Sequence, residues 1–464
     1  RLKFKLAPQV PGFAFLYWRE TPLKGNCMDS NLTPDPAIVK AVELLDYRVT
    51  VGDVASQAGL DVNLAERGLL VLASAVGGQL QVAESGEVVY LFPKDVQGVL
   101  QNKFFQLRLR EWLGKVWRVL FYLIRISFGI VLVLLIALAI VAVILLVLAM
   151  NSSRDDRNNS GGIGIPNMGF PNLFWIFYPN YYDRYDRPSP RNRNQGGSTS
   201  DINFLEAVFS FLFGDGNPNA ELEERRWQSI ATVIRNNQGA VIAEQISPFL
   251  DEVGTGYDKE YEQYMVPVLA RFNGRPEVSP DGQIVYHFPD LQTTVTESRR
   301  KSISDYLQEY RYVFSRASRG QVIAASSLGA FLLALAIVLN VSLAGGVTLV
   351  GTAATFVKTI AILSLGYSVA YLSIPVIRNS WIGWRNRKIS DRNAERQQRS
   401  LLLKRADAVI QQKLSYAQQF AAETVIRNDD LIYTTERDLI DQESDRAAQI
   451  DAEWQKRLEK RDLE

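Results

Sequence analysis

Catalysis needs nucleophiles, acid–base groups or metal ligands gathered at productive spacing, and this chain is sparing with all of them. It holds a single cysteine, Cys27, and a single histidine, His287. One thiol excludes an internal disulfide framework and any intrachain cysteine cage for zinc or an iron–sulfur cluster. One imidazole excludes a His-rich metal site and leaves little for His-based acid–base work. The patterns G-x-x-x-x-G-K-S/T, G-x-S-x-G, H-E-x-x-H and paired C-x-x-C are absent. Gly161-Gly162-Ile163-Gly164-Ile165 is glycine-rich, but it lacks the preceding strand and following helix that a dinucleotide site requires. Asp251, Glu252, Asp258 and Glu260 could attract a cation, yet they lack calcium-loop spacing and read as a solvated face. Cys27 has neither a partner nor the basic setting that marks a reactive thiol. His287 stands where the first copy of an internal repeat has Leu91, which favours a structural slot. Lys358, alone in an apolar block, reads as a lysine snorkelling from a helix end rather than a functional intramembrane charge. The expectation is a protein with no catalytic, cofactor-binding or metal site, and no enzyme.

What the chain does carry is apolar length. Its 464 residues balance 51 basic against 50 acidic side chains, so bulk charge does not hold it on nucleic acid. Ile126 to Met150 runs 25 residues without a charge, enough to cross a hydrocarbon layer of about 30 Å. Trp112, Trp117 and Tyr122, with Lys103, Arg108, Arg110, Lys115, Arg118 and Arg125, precede it as an interfacial, positive-side anchor. A second block, Gln321–Ile377, is broken only by Lys358. With Gly345, Gly346 and Gly351 at its turn, it predicts a helical hairpin, about 322–342 and 355–377. The bases flanking this hairpin belong by charge on the side of the N-terminal domain, whereas one crossing by Ile126–Met150 puts Asn151–Gly320 on the other side. A return through the aromatic, proline-interrupted stretch 161–182 would reconcile them. The length of the first span, and of the loop after it, tips the expectation toward opposite sides, with the tail beside the second domain.

The soluble parts repeat. Gly78–Pro93, GQLQVAESGEVVYLFP, aligns without a gap on Gly274–Pro289, GRPEVSPDGQIVYHFP, with seven identities in sixteen positions. Ser-Gly and Asp-Gly are hairpin turns and the Val-Tyr-x-Phe runs are strands ending at proline. One ring of each pair, Tyr90 or Phe92 and Tyr286 or Phe288, is expected in a core. Three helical patterns precede the first hairpin: one capped by Asp35 with Pro36 at its first turn, one at about 51–58, and one starting at an Asn63/Glu66 box. Before the second hairpin the helices fall near 221–236, 239–250 and 258–272. Three helices and a two-stranded wing resemble the winged-helix fold. The third helix of the first copy has Glu66 and one base, Arg67, and that of the second has Asp251, Glu252, Asp258, Glu260 and Glu262 against Lys259 and Arg271, which disfavours duplex reading and favours protein contact.

The resulting organisation is a mainly α membrane protein with three transmembrane helices, two winged-helix-like α+β domains and long charged C-terminal helices. Its parts are an N-terminal extension (1–34), a first winged-helix-like domain (35–97), a basic and aromatic flank with the first span (103–150), and a flexible linker (151–200). There follow an amphipathic interfacial or interdomain helix with its turn (201–219), a second winged-helix-like domain (220–292), the hairpin (321–377) and a charged helical tail (385–464). In the tail, Leu403, Ala406, Ile410, Leu414, Ala417, Ala421 and Val425 form one helical stripe, and Leu439, Ala447, Ile450, Trp454 and Leu458 another. A coiled coil, a lever packed on a partner, or packing back on the chain's own winged domains would bury them.

This order, with NFLEAVFSFLFGDGNPN at 203–219 as its most specific stretch, resembles an uncharacterised membrane-protein family of cyanobacteria and chloroplasts. The resemblance covers most of the chain and implies a photosynthetic internal membrane or a plastid membrane, thylakoid or envelope. An iron–sulfur biosynthesis label attached to such proteins implies several thiolates, where this chain has Cys27 alone. Opening on Arg1 rather than Met fits a processed or truncated chain. The functional expectation is a non-enzymatic scaffold or assembly factor, without cofactor, that contacts lipid and an unidentified protein complex, binds no nucleic acid and could self-associate. A small-solute or ion translocation component is the alternative, and a membrane-tethered nucleic-acid-binding regulator the second.

Overall fold

Asp35 opens the first element as the sequence predicts: its carboxylate accepts from the Ala37 amide at 2.8 Å, with Pro36 at the first helical position. The computed structural model describes residues 34–103, 105–152, 203–296, 300–345, 351–405 and 407–461. The first unit runs α1 (Pro36–Leu44), β1 (Arg48–Thr50), α2 (Val51–Ala58), α3 (Val62–Val76), β2 (Gln79–Ala83) and β3 (Val88–Leu91). Thr50 and Asp53 cap α2 reciprocally. Asp61, two residues ahead of the expected Asn63, caps α3 by accepting from the Asn63 and Leu64 amides. Next, α4 (Val96–Lys103) leads into α5 (Phe105–Ser152), 48 residues and about 72 Å long.

After α6 (Phe204–Phe213) the second unit repeats the order: α7 (Leu222–Asn236), β4 (Ala240–Val241), short α8 (Ala243–Ile246), α9 (Tyr257–Glu260) and α10 (Val266–Phe272), β5 (Arg275–Val278) and β6 (Ile284–His287), closed by β7 (Thr293–Thr294). The sheets match strand for strand, β1–β3–β2 and β4–β6–β5. Val49 pairs with Tyr90 as Val241 pairs with Tyr286, and Gln81 with Val89 as Glu277 with Val285. The repeated glycines have a common reason. Gly86 and Gly282 turn the hairpins at φ 85° and 79°. Gly78 and Gly274 lie under Phe92 and Phe288, where a Cβ would stand 2.9 and 2.3 Å from the ring.

Three expectations need correction here. Residues 239–250 do not form one helix, because β4 occupies Ala240–Val241, and the third helix of this unit is only Val266–Phe272. Both rings of each hairpin are buried, Tyr90 with Phe92 and Tyr286 with Phe288, because residues two apart share a strand face. Nor do the two units sit apart: Ile38, Val54 and Leu69 of the first belong to one continuous core with Ile230, Phe272 and Phe288 of the second.

Gly52 allows this approach, since a Cβ there would meet the Asp290 carbonyl at 1.9 Å. Buried Asp53 accepts from Arg235 at 2.6 Å and from Thr294 at 2.9 Å, and Arg271 donates twice to the Gly59 carbonyl, at 3.0 and 2.6 Å. Units sharing one core cannot face opposite sides of a barrier, so the expectation of opposite sides fails and the flanking-charge rule agrees with the fold.

The rest is a bundle and a strap. α11 (Arg319–Ala344) and α12 (Thr352–Arg405) pack on α5 and α6, with Leu132, Leu146, Val208, Leu328, Leu339 and Ile360 in a second core. Length and composition make α5, α11 and α12 capable of crossing a membrane. The amphipathic stretch 203–213 packs Phe204, Val208, Phe211 and Leu212 of α6 into this bundle rather than on the second unit. α6 starts beside Gly129, near the end of the apolar run closest to the units, and Ser152 ends α5 at the other. The stretch 161–182, and most of the 151–200 linker, connect these ends and lie outside the described residues, as does nearly all of 1–34.

The tail is not one long helix. After α12, α13 (Ala408–Ala417) packs Ile410, Leu414 and Ala417 on Ile242 and Val285 of the second unit. Ala421 and Val425 fall outside it: β8 (Thr424–Val425) pairs with β7, and β9 (Leu431–Thr434) pairs with β2 of the first unit. Packing back on the chain's own units thus accounts for residues 403–434, before α14 (Leu439–Arg461). The tail's choice of β2 over the equivalent β5 has a chemical cause. Leu80 N–H donates to the Thr435 hydroxyl oxygen at 2.9 Å, and Glu84 N–H reaches the Asp430 carbonyl at 2.8 Å. The equivalents of Leu80 and Glu84 are Pro276 and Pro280, which have no N–H to offer a fourth strand.

Candidate functional site

The GDGNPN turn after α6, residues 214–219, gathers the polar groups at the end of the apolar bundle nearest the two units. α6 stops at Gly214, with φ 81°. Asp215 accepts from the Ser210 hydroxyl at 2.7 Å, the Arg316 amide at 2.6 Å and Arg125 of α5 at 3.2 Å. Arg378 of α12 donates to the Ser210 carbonyl at 3.1 Å and to the Phe314 carbonyl, its guanidinium over the Phe314 ring. One carboxylate and two arginines therefore tie α5, α6, α12 and the segment before α11 at one level.

Beyond this layer α12 continues as a rod into the second unit. The extended segment 309–312 lies along it, held by asparagines where a neighbouring strand would stand. Asn393 accepts from the Glu309 amide and donates to the Glu309 carbonyl; Asn386 does the same for Tyr312, and Asn219 for Tyr310, all at 2.7–3.0 Å. Tyr312 also donates through its hydroxyl to Asn217 at 2.6 Å.

Arg396, 1% exposed, is the centre of a charged network. It donates to the Leu307 carbonyl at 2.9 Å, to Glu309 at 2.9 Å and to the Asp251 carboxylate. Arg392 grips Glu309 with two bonds, 2.7 and 2.5 Å. Arg226 bridges Glu223 and Asp251 at 2.7 and 2.5 Å. Arg399 donates to the Ser247, Leu250 and Asp251 carbonyls. Burial alone would push Glu309 up, but Arg392 and Arg396 hold it below the usual glutamate range. A cleft of about 470 Å³ opens over this network, bordered by Asn217, Glu223, Glu252, Arg385 and Glu395. A second buried cluster pins the tail: Lys413 donates to Glu244 and Glu262, both at 2.8 Å, and Tyr286 donates to Glu262 at 2.7 Å. Burial, with the Glu262 charge, raises the Tyr286 phenol. Burial would lower Lys413, and the two glutamates hold it above its ordinary value. These groups neutralise one another, and the arrangement welds elements together.

The sequence candidates are scattered. Asp251 joins the network, whereas Asp258 and Glu260 are exposed on α9. His287 lies in β6, its Nε2 3.0 Å from the Gln292 side-chain oxygen. Lys358 is exposed on α12; Cys27 and Gly161–Ile165 are outside the described residues. Among the described residues, no three of His, Cys, Asp and Glu stand together as a metal would need.

Sequence reading missed the arginine network, although a signal was present. Arg378, Arg385, Arg392 and Arg399 recur every seven residues, as do Asn386 and Asn393, and Ile382, Ile389 and Arg396. Heptad spacing keeps each set on one face of a helix, and the charge density hid that order inside an apparent tail.

No family model and no solved structure matches the chain. An Arabidopsis thaliana protein named Uncharacterized protein At5g03900, chloroplastic, is 35% identical over 464 aligned residues, covering 94% of this chain and 86% of that protein. At that identity over nearly the whole chain, the chain belongs to the family of that chloroplastic protein.

Proposed function

We propose that this is a non-enzymatic integral membrane scaffold or assembly factor of a plastid or photosynthetic membrane, which holds a partner protein complex against the bilayer. The observation that carries the reading is the single core shared by the two repeat units, lashed by the tail and joined without a break to α12. A platform so constrained is suited to presenting surfaces at a fixed height and angle. The three apolar helices and the chloroplastic relative support the membrane and its compartment. On this reading each unit is a winged-helix domain serving protein contact. The outer face of α3 offers Leu64 and Leu70, 50% and 45% exposed, beside Glu66 and Arg67. Such a surface suits a protein partner better than a phosphate backbone. Arg271, the base in the second unit's third helix, is engaged by Gly59.

Purification from native membranes in mild detergent tests the proposal. The chain should bring down a reproducible set of membrane-complex subunits, and Leu64→Asp with Leu70→Asp should lose them while the protein stays folded. Recovery of the chain alone, or carbonate extraction of the chain into the supernatant, would overturn it.

A further inference from the structure

Among the described residues, two helices stand without cover. In α5 every residue from Trp112 to Leu123 is exposed, through three turns and on all faces. Its nine large apolar side chains, Trp112, Trp117 and Leu123 among them, are 40–62% exposed. A helix apolar all round belongs inside protein or lipid. Lipid reaches only part of it. The bilayer reading, on which this step rests, sets the near boundary at the Arg125–Asp215–Arg378 layer, and packing against α11 and α12 fixes the tilt of α5. Trp112 lies 13 residues before Arg125, about 20 Å along the axis. The headgroup layer adds only about 5–8 Å. Tyr122 is covered there; Trp112 and Leu113 project beyond it.

The second uncovered helix is α14, where Leu439, Ile440, Ile450 and Trp454 are 49–74% exposed. The charge of its first seventeen residues is the complement, before the basic end at Lys456, Arg457, Lys460 and Arg461. Residues 112–125 hold three bases and no acid, while residues 439–455 hold five acids and one base. Both start from the first unit, α5 through α4 and α14 through β9, and therefore lie in one compartment. Among the described residues of one copy, nothing covers Leu439, Ile440, Ile450 and Trp454 of α14. We propose that α14 of one copy packs on the Trp112–Leu123 stretch of α5 of a second copy, apolar stripe to apolar stripe, with Asp441, Glu443 and Asp451 near Lys115 and Arg118. Reciprocal exchange makes the contact two-fold and closes it as a dimer.

The test uses the full chain in nanodiscs with Cys27→Ser, so that introduced cysteines are the only thiols. Differently tagged copies carrying Trp117→Cys and Ile450→Cys are co-expressed and oxidised. A disulfide between copies, about tenfold above a Leu64→Cys control, is expected. Lys115→Glu with Arg118→Glu should weaken the dimer about tenfold, and Asp441→Lys with Asp451→Lys in the second copy should restore it. A monomer that still resists carbonate extraction would overturn the dimer and leave the membrane reading intact. Cross-linking confined to one copy carrying both cysteines would also overturn it, as would capture of a different acidic helix at Trp117→Cys.

Discussion

Arg396 illustrates what a single buried charge commits this protein to. Replacing it with alanine leaves Glu309 facing Arg392 alone and removes a donor from Asp251, and breaking a buried pair of this kind costs about 3–5 kcal/mol. Denaturant unfolding in detergent should register that loss, whereas Lys404→Ala, which removes an exposed pair with Asp305, should change stability by less than about 1 kcal/mol. Glu309 also makes a pH prediction. Its folded pKa is depressed, so its contribution is complete above the ordinary glutamate range and is lost as pH falls through the depressed folded value. Melting temperature should therefore drop on acidification, and Glu309→Gln should flatten that part of the profile. An unchanged slope in Glu309→Gln would show that other carboxylates carry the effect.

At the scale of elements, the two hairpins are a natural pair of experiments on one design. Pro276→Leu with Pro280→Glu gives β5 the outward residues of β2 and frees two N–H groups on an exposed edge. Sedimentation should then show self-association through that edge, because unpaired strand edges recruit strands; an unchanged sedimentation profile would mean that Tyr416, which bonds the Val278 carbonyl at 3.2 Å, shields it. The hairpins, the three apolar helices and the cap at Asp35 were legible because local rules dictate them. The shared core was not, since nothing local ties Ile38 to Ile230. Ala421 and Val425 continued a helical period into a segment whose backbone pairs with Thr293 and Thr294 instead. The Arg378–Arg399 heptad was legible in principle, but a membrane helix ending at Ile377 was the simpler reading of the same residues.

For the molecule as a whole, one core for both units dictates a labelling result. With Cys27→Ser, cysteines at Leu64 in the first unit and Val278 in the second, both exposed, should react with an impermeant maleimide from the same face of oriented vesicles. Reaction from opposite faces would contradict the common core. α12, 54 residues and about 81 Å long, makes the platform and the bundle one body. Gly345 and Gly351 at the far turn are thus mechanically connected to the charged cleft, and a label at each end should report one rigid distance.

The pairing of β9 with β2 also sets a schedule. Ala83 and Leu431 are register partners separated by 348 positions of chain. At about 5–20 residues per second, a ribosome needs roughly 17–70 s to cover that interval. For most of that interval the outer strand of the N-terminal sheet is open, while the three apolar helices are being made. Closure of that sheet therefore reports that translation has passed the last apolar helix, and a chain stalled or cleaved before Leu431 is marked by a bare edge that holding chaperones and proteases can recognise.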